Sequence, residues 1–182
     1  MQSSKFYCIL LLILTLSIPV AERAYGFDSG NDMMLLGLNL GFGTSGIAIG
    51  ASVSWQHADD LYTLRWMCNY SLARMFHAPQ ETTWEIGLLY GRIHTGSAGF
   101  LSASAGIALV GGTRQGAVVR SKAFDTLHKP ERFLTVGMAG QLQAVWVPLG
   151  RFFGIGARAA GDLNFREPFA NASAAVYFGE MD

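Results

Sequence analysis

Leu134-Thr135-Val136-Gly137-Met138-Ala139-Gly140-Gln141-Leu142-Gln143-Ala144-Val145-Trp146 is the stretch on which the fold turns. Its large apolar side chains fall on every second residue: Leu134, Val136, Met138, Leu142 and Trp146, with Gly140 and Ala144 completing the row. Thr135, Gln141 and Gln143 stand between them. A period of two is that of a β-strand, whose successive side chains point to opposite faces. Two glycines inside the stretch speak against a helix, where each costs about 1 kcal/mol relative to alanine.

The same pattern recurs outward in both directions. Met34–Phe42, Ile47–Trp55, Tyr62–Leu72 and Trp84–Tyr90 alternate in the first half, and Leu101–Leu109, Phe153–Leu163 and Ala172–Phe178 in the second. Eight strands follow. In each, one row carries no charge, while the other row holds Gly, Ser, Thr, Asn and Gln together with Arg65, Glu85, Arg158 and Asp162. With charged residues at 14% of the chain and Gly numbering 22, that second row is a poor surface for water. It suits the filling of a narrow barrel, whose interior at eight strands is just wide enough for side chains. The uncharged row then faces outward into hydrocarbon. Segments of about 9–13 residues, rising ~3.3 Å each and tilted about 40°, match the ~25 Å apolar band of a membrane barrel.

Connection lengths point the same way. His57-Ala58-Asp59-Asp60, Thr95-Gly96-Ser97 and Pro148-Leu149-Gly150 are short links on one side. The other side receives Thr44-Ser45-Gly46, an Arg74–Thr82 loop, a long Gly111–Glu131 loop and an Asn164–Phe169 loop. Short periplasmic turns and longer outer loops are the asymmetry of transmembrane barrels. Trp55, Tyr62, Trp146, Phe153 and Phe178 fall at the short-turn ends of the strands, and Phe42, Trp84, Phe133, Phe165 and Phe169 at or near the other ends. Two aromatic girdles flanking an aliphatic band mark membrane interfaces.

The start of the chain reads as an export signal. Lys5 precedes an apolar run from Cys8 to Val20, and Ala24-Tyr25-Gly26 offers the small residues of a cleavage site. Residues 1–26 are therefore expected to be a cleaved signal peptide and 27–182 one domain. Cys8 lies well before that cleavage point, which argues against a lipid anchor. From 13 basic and 13 acidic side chains, removal of Lys5, Arg23 and Glu22 leaves a net charge of −1. Nucleic-acid binding, which needs a basic surface, gains no support. Cys68 is the one thiol remaining, so no intrachain disulfide is expected, and its place in the uncharged row points it at lipid.

The expected fold is all-β: an eight-stranded antiparallel up-and-down transmembrane barrel. Over the mature sequence the chain resembles the small outer-membrane β-barrels of Gram-negative bacteria. Val136 to Gly179, with Phe153-Gly154-Ile155-Gly156 and Asp162-Leu163-Asn164, looks like uncharacterised members of that class. The resemblance implies an outer-membrane location and a monomer. One departure is that Gly179-Glu180-Met181-Asp182 follow Phe178, where such barrels end on an aromatic residue.

Candidate chemistry is sparse. Arg65, Glu85, Arg158 and Asp162 are expected to form a buried salt-bridge network that plugs the lumen, because unpaired charges there are costly. A proton path or gate is the sharper reading of the same residues. His94 with Ser97 invites comparison with the lipid A deacylases, but the spacing differs and the pair falls in a predicted periplasmic turn. His57, His77 and His128 are scattered over separate links, so no metal site is expected. Gly41-Phe42-Gly43 lacks a following helix and is no phosphate loop. Neither a catalytic constellation nor a cofactor is expected. The Gly111–Glu131 segment carries Arg114, Arg120, Lys122 and Lys129 against Asp125 and Glu131; an ordinary solvated loop is the plainer reading, and contact with the phosphates of lipopolysaccharide, with which such groups pair, the sharper one. The expected function is thus that of a non-enzymatic envelope protein whose partners are outer-membrane lipid and lipopolysaccharide. The alternatives are a soluble periplasmic lipocalin-like barrel binding an apolar ligand, a lipid-modifying outer-membrane enzyme, and a narrow pore.

Overall fold

A computed structural model of the chain describes residues 32–44, 46–71, 82–122, 125–148 and 152–179. The expected signal segment 1–26 and the body of the expected Arg74–Thr82 loop lie outside them. Eight strands appear among the described residues: β1 (Asp32–Gly43), β2 (Gly46–His57), β3 (Asp60–Tyr70), β4 (Thr82–Gly96), β5 (Gly99–Lys122), β6 (Asp125–Trp146), β7 (Phe153–Leu163) and β8 (Phe169–Gly179). They close in sequence order into an antiparallel barrel. The closing seam joins β1 to β8 from Leu35↔Gly179 to Gly43↔Asn171.

The faces follow the alternation. Leu40, Phe42, Leu88, Leu101, Leu134 and Met138 are exposed on the outer wall, between 60% and 70%. Arg65, Glu85, Arg158, Asp162, Asn69 and Gln141 are buried on the inner one. The side chains exposed to the surroundings are thus the apolar ones, the arrangement that suits a hydrocarbon solvent. Two apolar clusters also lie inside. One gathers Met33, Leu35, Leu61, Ile93, Phe100 and Tyr177 toward the short-turn end, where Phe100 and Tyr177 meet edge to face at 6.2 Å between ring centroids. The other gathers Met67, Leu89, Val110, Ala139, Ala160 and Phe169.

The short turns are tighter than the sequence suggests. Ala58-Asp59 joins β2 to β3 with Ala58 at φ 54°, the positive φ that a two-residue hairpin with matching twist requires. Ser97-Ala98 joins β4 to β5.

Three expectations are corrected. The Gly111–Glu131 loop is strand: β5 continues to Lys122 and β6 begins at Asp125. From Arg114 on, these strands pair with each other beyond the last β4–β5 pair, Thr82↔Thr113, and before the β6–β7 register opens at Met138↔Leu163. Register shifts between Gln115 and Val118 and between Val118 and Arg120 break the alternation, which hides the strand from a period-two reading. Phe169 is not a girdle aromatic, since it is buried in the inner cluster, and Phe133 packs against that cluster. Cys68, expected at lipid, is fully buried, with the larger Ile49 and Trp84 as its partners in the neighbouring strands.

Gly106 shows how close the walls run. A Cβ there would stand 2.0 Å from the Leu88 carbonyl oxygen and 2.8 Å from the Leu89 Cα, both backbone. Gly106→Val is expected to lower the urea midpoint of the refolded barrel, at a cost of about 1–3 kcal/mol for overpacking. Ala105→Leu on the exposed face of the same strand should leave it unchanged. Heat-dependent gel mobility across a urea series reads both; equal midpoints for the two variants would refute the assignment of faces.

Candidate functional site

The four charged residues of the inner face come from β3 (Arg65), β4 (Glu85) and β7 (Arg158 and Asp162), and each is at most 1% exposed. The register explains the first pair. Arg65 lies across from Gly87, so Glu85 is its diagonal neighbour, within reach of a long side chain. Arg65 donates to Glu85 Oε1 from Nε at 2.9 Å and from Nη2 at 2.5 Å. It also crosses the lumen, donating to the carbonyl oxygens of Gly140 (3.0 Å) and Gly161 (3.4 Å) on β6 and β7. One guanidinium therefore ties opposite walls together.

Arg158 and Asp162 behave differently. Arg158 donates to Asn39 Oδ1 at 2.8 Å and Ser52 Oγ at 2.6 Å, and it meets Tyr177, whose hydroxyl donates to Gln143 Oε1 at 2.6 Å. Asp162 Oδ1 accepts from Asn164 Nδ2 at 2.6 Å. Its carboxylate lies over Gly137, where a Cβ would stand 2.2 Å from Oδ1. Among the described residues, Arg65–Glu85 is the inner ion pair, and the other two charges are held by neutral partners. Of the four expected members of the network, Arg65 and Glu85 thus stand at ion-pair distance, while Arg158 and Asp162 sit in polar cages within the same field of charges. Arg158 and Asp162 are themselves kept apart by distance along the strand, four residues on the same face or about 13 Å at ~3.3 Å per residue.

On the outer ribbon, Arg114 meets Glu131 directly across the strands, with Nη2 to Oε2 at 3.0 Å. Arg120 and Lys122 lie on β5 and Lys129 on β6, so all four basic candidates belong to one two-stranded arm. Lys122 is placed by register across from Asp125.

His94 and Ser97 stand at the end of β4 and in the following turn, both exposed. No group of three or more metal-ligating residues occurs among the described residues. The sequence reading passed over a third cluster, on the outer wall at the short-turn end. There Tyr90 donates to Asp60 Oδ1 at 2.8 Å and Arg92 Nε lies 3.3 Å from the same oxygen, with Asp59 Oδ2 4.0 Å from Arg92 Nη1. Trp55, Tyr62 and Tyr90 line up beside it at centroid spacings of 5.5 and 5.3 Å. The available signal was Arg92, the one charged residue that continues the uncharged row of its strand past Tyr90.

With eight antiparallel strands, a closed seam, apolar side chains outside and charges inside, comparison with solved structures is direct. The N-terminal β-barrel domain of Pseudomonas aeruginosa OprF aligns over 81% of this chain and 96% of its own, with a TM-score of 0.50 at 12% identity. Neisserial surface protein A aligns over 81% and 95%, with a TM-score of 0.52 at 9% identity. The fold is that of the small outer-membrane β-barrels. No protein-family model matches the sequence, and no curated protein does.

The buried pair yields a sharp test. Arg65→Met leaves Glu85 buried with no partner, an expected loss of about 3–5 kcal/mol in unfolding free energy. Arg65→Met with Glu85→Leu removes both charges and is expected to regain most of it. Urea unfolding followed by tryptophan fluorescence measures each, and a double variant no more stable than the single one would contradict the pairing.

Proposed function

We propose that the chain is a non-enzymatic protein of the outer membrane, a monomeric barrel plugged by its own side chains that works through its outer face. The observation that carries this reading is the β5–β6 arm. Both strands run past their other neighbours and lift Arg114, Arg120, Lys122 and Lys129 beyond the rim opposite the short turns. Basic side chains on such an arm would pair with the phosphates of lipopolysaccharide, whose headgroups occupy that height. The plug rests on the inner clusters and on the burial of both arginines, which leave the lumen little room for a permeant ion. A soluble lipocalin-like barrel is disfavoured by the wall itself, since Leu40, Phe42 and Met138 would then face water. A lipid-modifying enzyme needs a base, a nucleophile and an orienting group, and His94 with Ser97 lies on the opposite rim from the outer leaflet.

Replacing Arg114, Arg120, Lys122 and Lys129 together by Ser is expected to reduce the lipopolysaccharide that co-purifies with the barrel and to alter polymyxin sensitivity, while the heat-dependent gel shift persists. Unchanged co-purification and sensitivity would sink the role assigned to the arm. Carbonate extraction that releases the protein from membranes would sink the outer-membrane reading as a whole.

A further inference from the structure

The outer wall is not uniform. On β1 to β4 the outward positions are large, including Leu38, Leu40, Trp55, Leu64, Ile86 and Leu88. On β5 to β8 they are small through the middle of the barrel. Register sets them in rows: Ala144 beside Ala157 and Ala174, Ala103 beside Leu142, Ala159 and Ala172, and Ala105 beside Gly140, Gly161 and Ala170. The result is a depression with two lobes of 1060 and 940 Å³. Both lobes share Arg92, Ala103, Leu142 and Ala159, so they meet at one charged mouth and part around the Leu142 side chain. Leu40 and Phe42 border one lobe, and Tyr90, Met138 and Leu163 the other.

Charge at the mouth defines what fits. Arg92 is 70% exposed and points out of the wall, with His94 one outward position further along in the first lobe. Asp60 holds the guanidinium at Nε and is itself held by the Tyr90 hydroxyl. Asp59, 82% exposed, places a carboxylate 4.0 Å from the same guanidinium. A headgroup carrying only negative charge would meet two carboxylates beside the single arginine. One that carries a phosphate and an ammonium together matches both signs: phosphate on Arg92, ammonium on Asp59. Two apolar lobes diverging from one head match two acyl chains.

We infer that the β5–β8 wall is a binding site for one diacyl phospholipid with a zwitterionic aminoethyl-phosphate head, seated at the short-turn rim with its head on Arg92 and Asp59. This rests on the membrane reading above and adds a selective lipid to it. The lipid fills the depression that the small residues leave, so that the bulky and the smooth halves of the barrel present a similar girth to the bilayer.

The test uses the full chain refolded into vesicles of equal parts phosphatidylethanolamine and phosphatidylglycerol, extracted in mild detergent and weighed by native mass spectrometry. One retained phospholipid is expected, with phosphatidylethanolamine favoured roughly fivefold, the upper range for an exposed ion pair. Arg92→Gln should remove the preference. Ala159→Phe, which fills the fork between the lobes from the exposed face, should abolish retention while the heat-dependent gel shift stays. Retention without head preference in the native chain, or retention unchanged in Ala159→Phe, overturns the inference while a persisting gel shift keeps the membrane barrel intact. Efficient disulfide cross-linking of Ala159→Cys between barrels would also overturn it, identifying a second copy of the chain as the occupant. A chain that never enters the vesicles overturns both readings.

Discussion

Everything in this barrel depends on leaving no strand edge open in its apolar wall. Each backbone N–H and C=O that meets lipid without a partner costs several kcal/mol, so a sheet there must close on itself. The seam from Leu35↔Gly179 to Gly43↔Asn171 meets that demand. Closure at eight strands then fixes the width of the interior, and the width dictates what can point inward. Tyr177 fits because Gly37 faces the same space, where a Cβ would stand 2.9 Å from a Tyr177 ring atom, and Asp162 fits over Gly137 in the same way.

The inner charges follow from the same confinement. A guanidinium inside so narrow a tube reaches the far wall, and Arg65 does, meeting a carboxylate on the adjacent strand and carbonyl oxygens opposite. Its hydrogen bonds offset much of its desolvation, although such a pair is weak evidence of net stabilisation. Arg158 makes its hydrogen bonds to neutral groups, Asn39, Ser52 and Tyr177, with the Glu85 carboxylate acting on it only through space. These polar residues give the lumen a cross-linked middle, whereas apolar side chains pack together toward the short-turn end.

Alternation made the strand count legible, and the composition of the two rows with the lengths of strands and connections made the closed all-β architecture and the inward placement of Arg65, Glu85, Arg158 and Asp162 legible. Their partners were not legible. Pairing across a lumen depends on stagger between distant strands, and no spacing along one strand encodes that Arg65 reaches Gly161. The β5–β6 arm was misread because its bulges near Val118 interrupt the period. Phe169 was misplaced because an aromatic at a strand end suits either a girdle or an inner cap, and phase decides between them only once the register is known. Arg92 was missed because its meaning comes from Asp60, its partner in the neighbouring strand, and from the small residues on β5 to β8.

The seam also has a kinetic consequence. Leu36 and Phe178, which it joins, stand at opposite ends of the chain, whereas Lys122 of β5 and Asp125 of β6, which also pair, are three residues apart in sequence. Closing a longer loop costs more chain entropy, and local contacts form sooner than distant ones. The hairpin of β5 and β6 is therefore placed to assemble early and the first strand to dock on the last at the end of folding. On the inner row of β1, Gly37 and Gly41 lie along that late junction. With no side chains to sort into the lumen at those two places, the final zipping of the cylinder meets fewer steric obstacles than larger residues there would present.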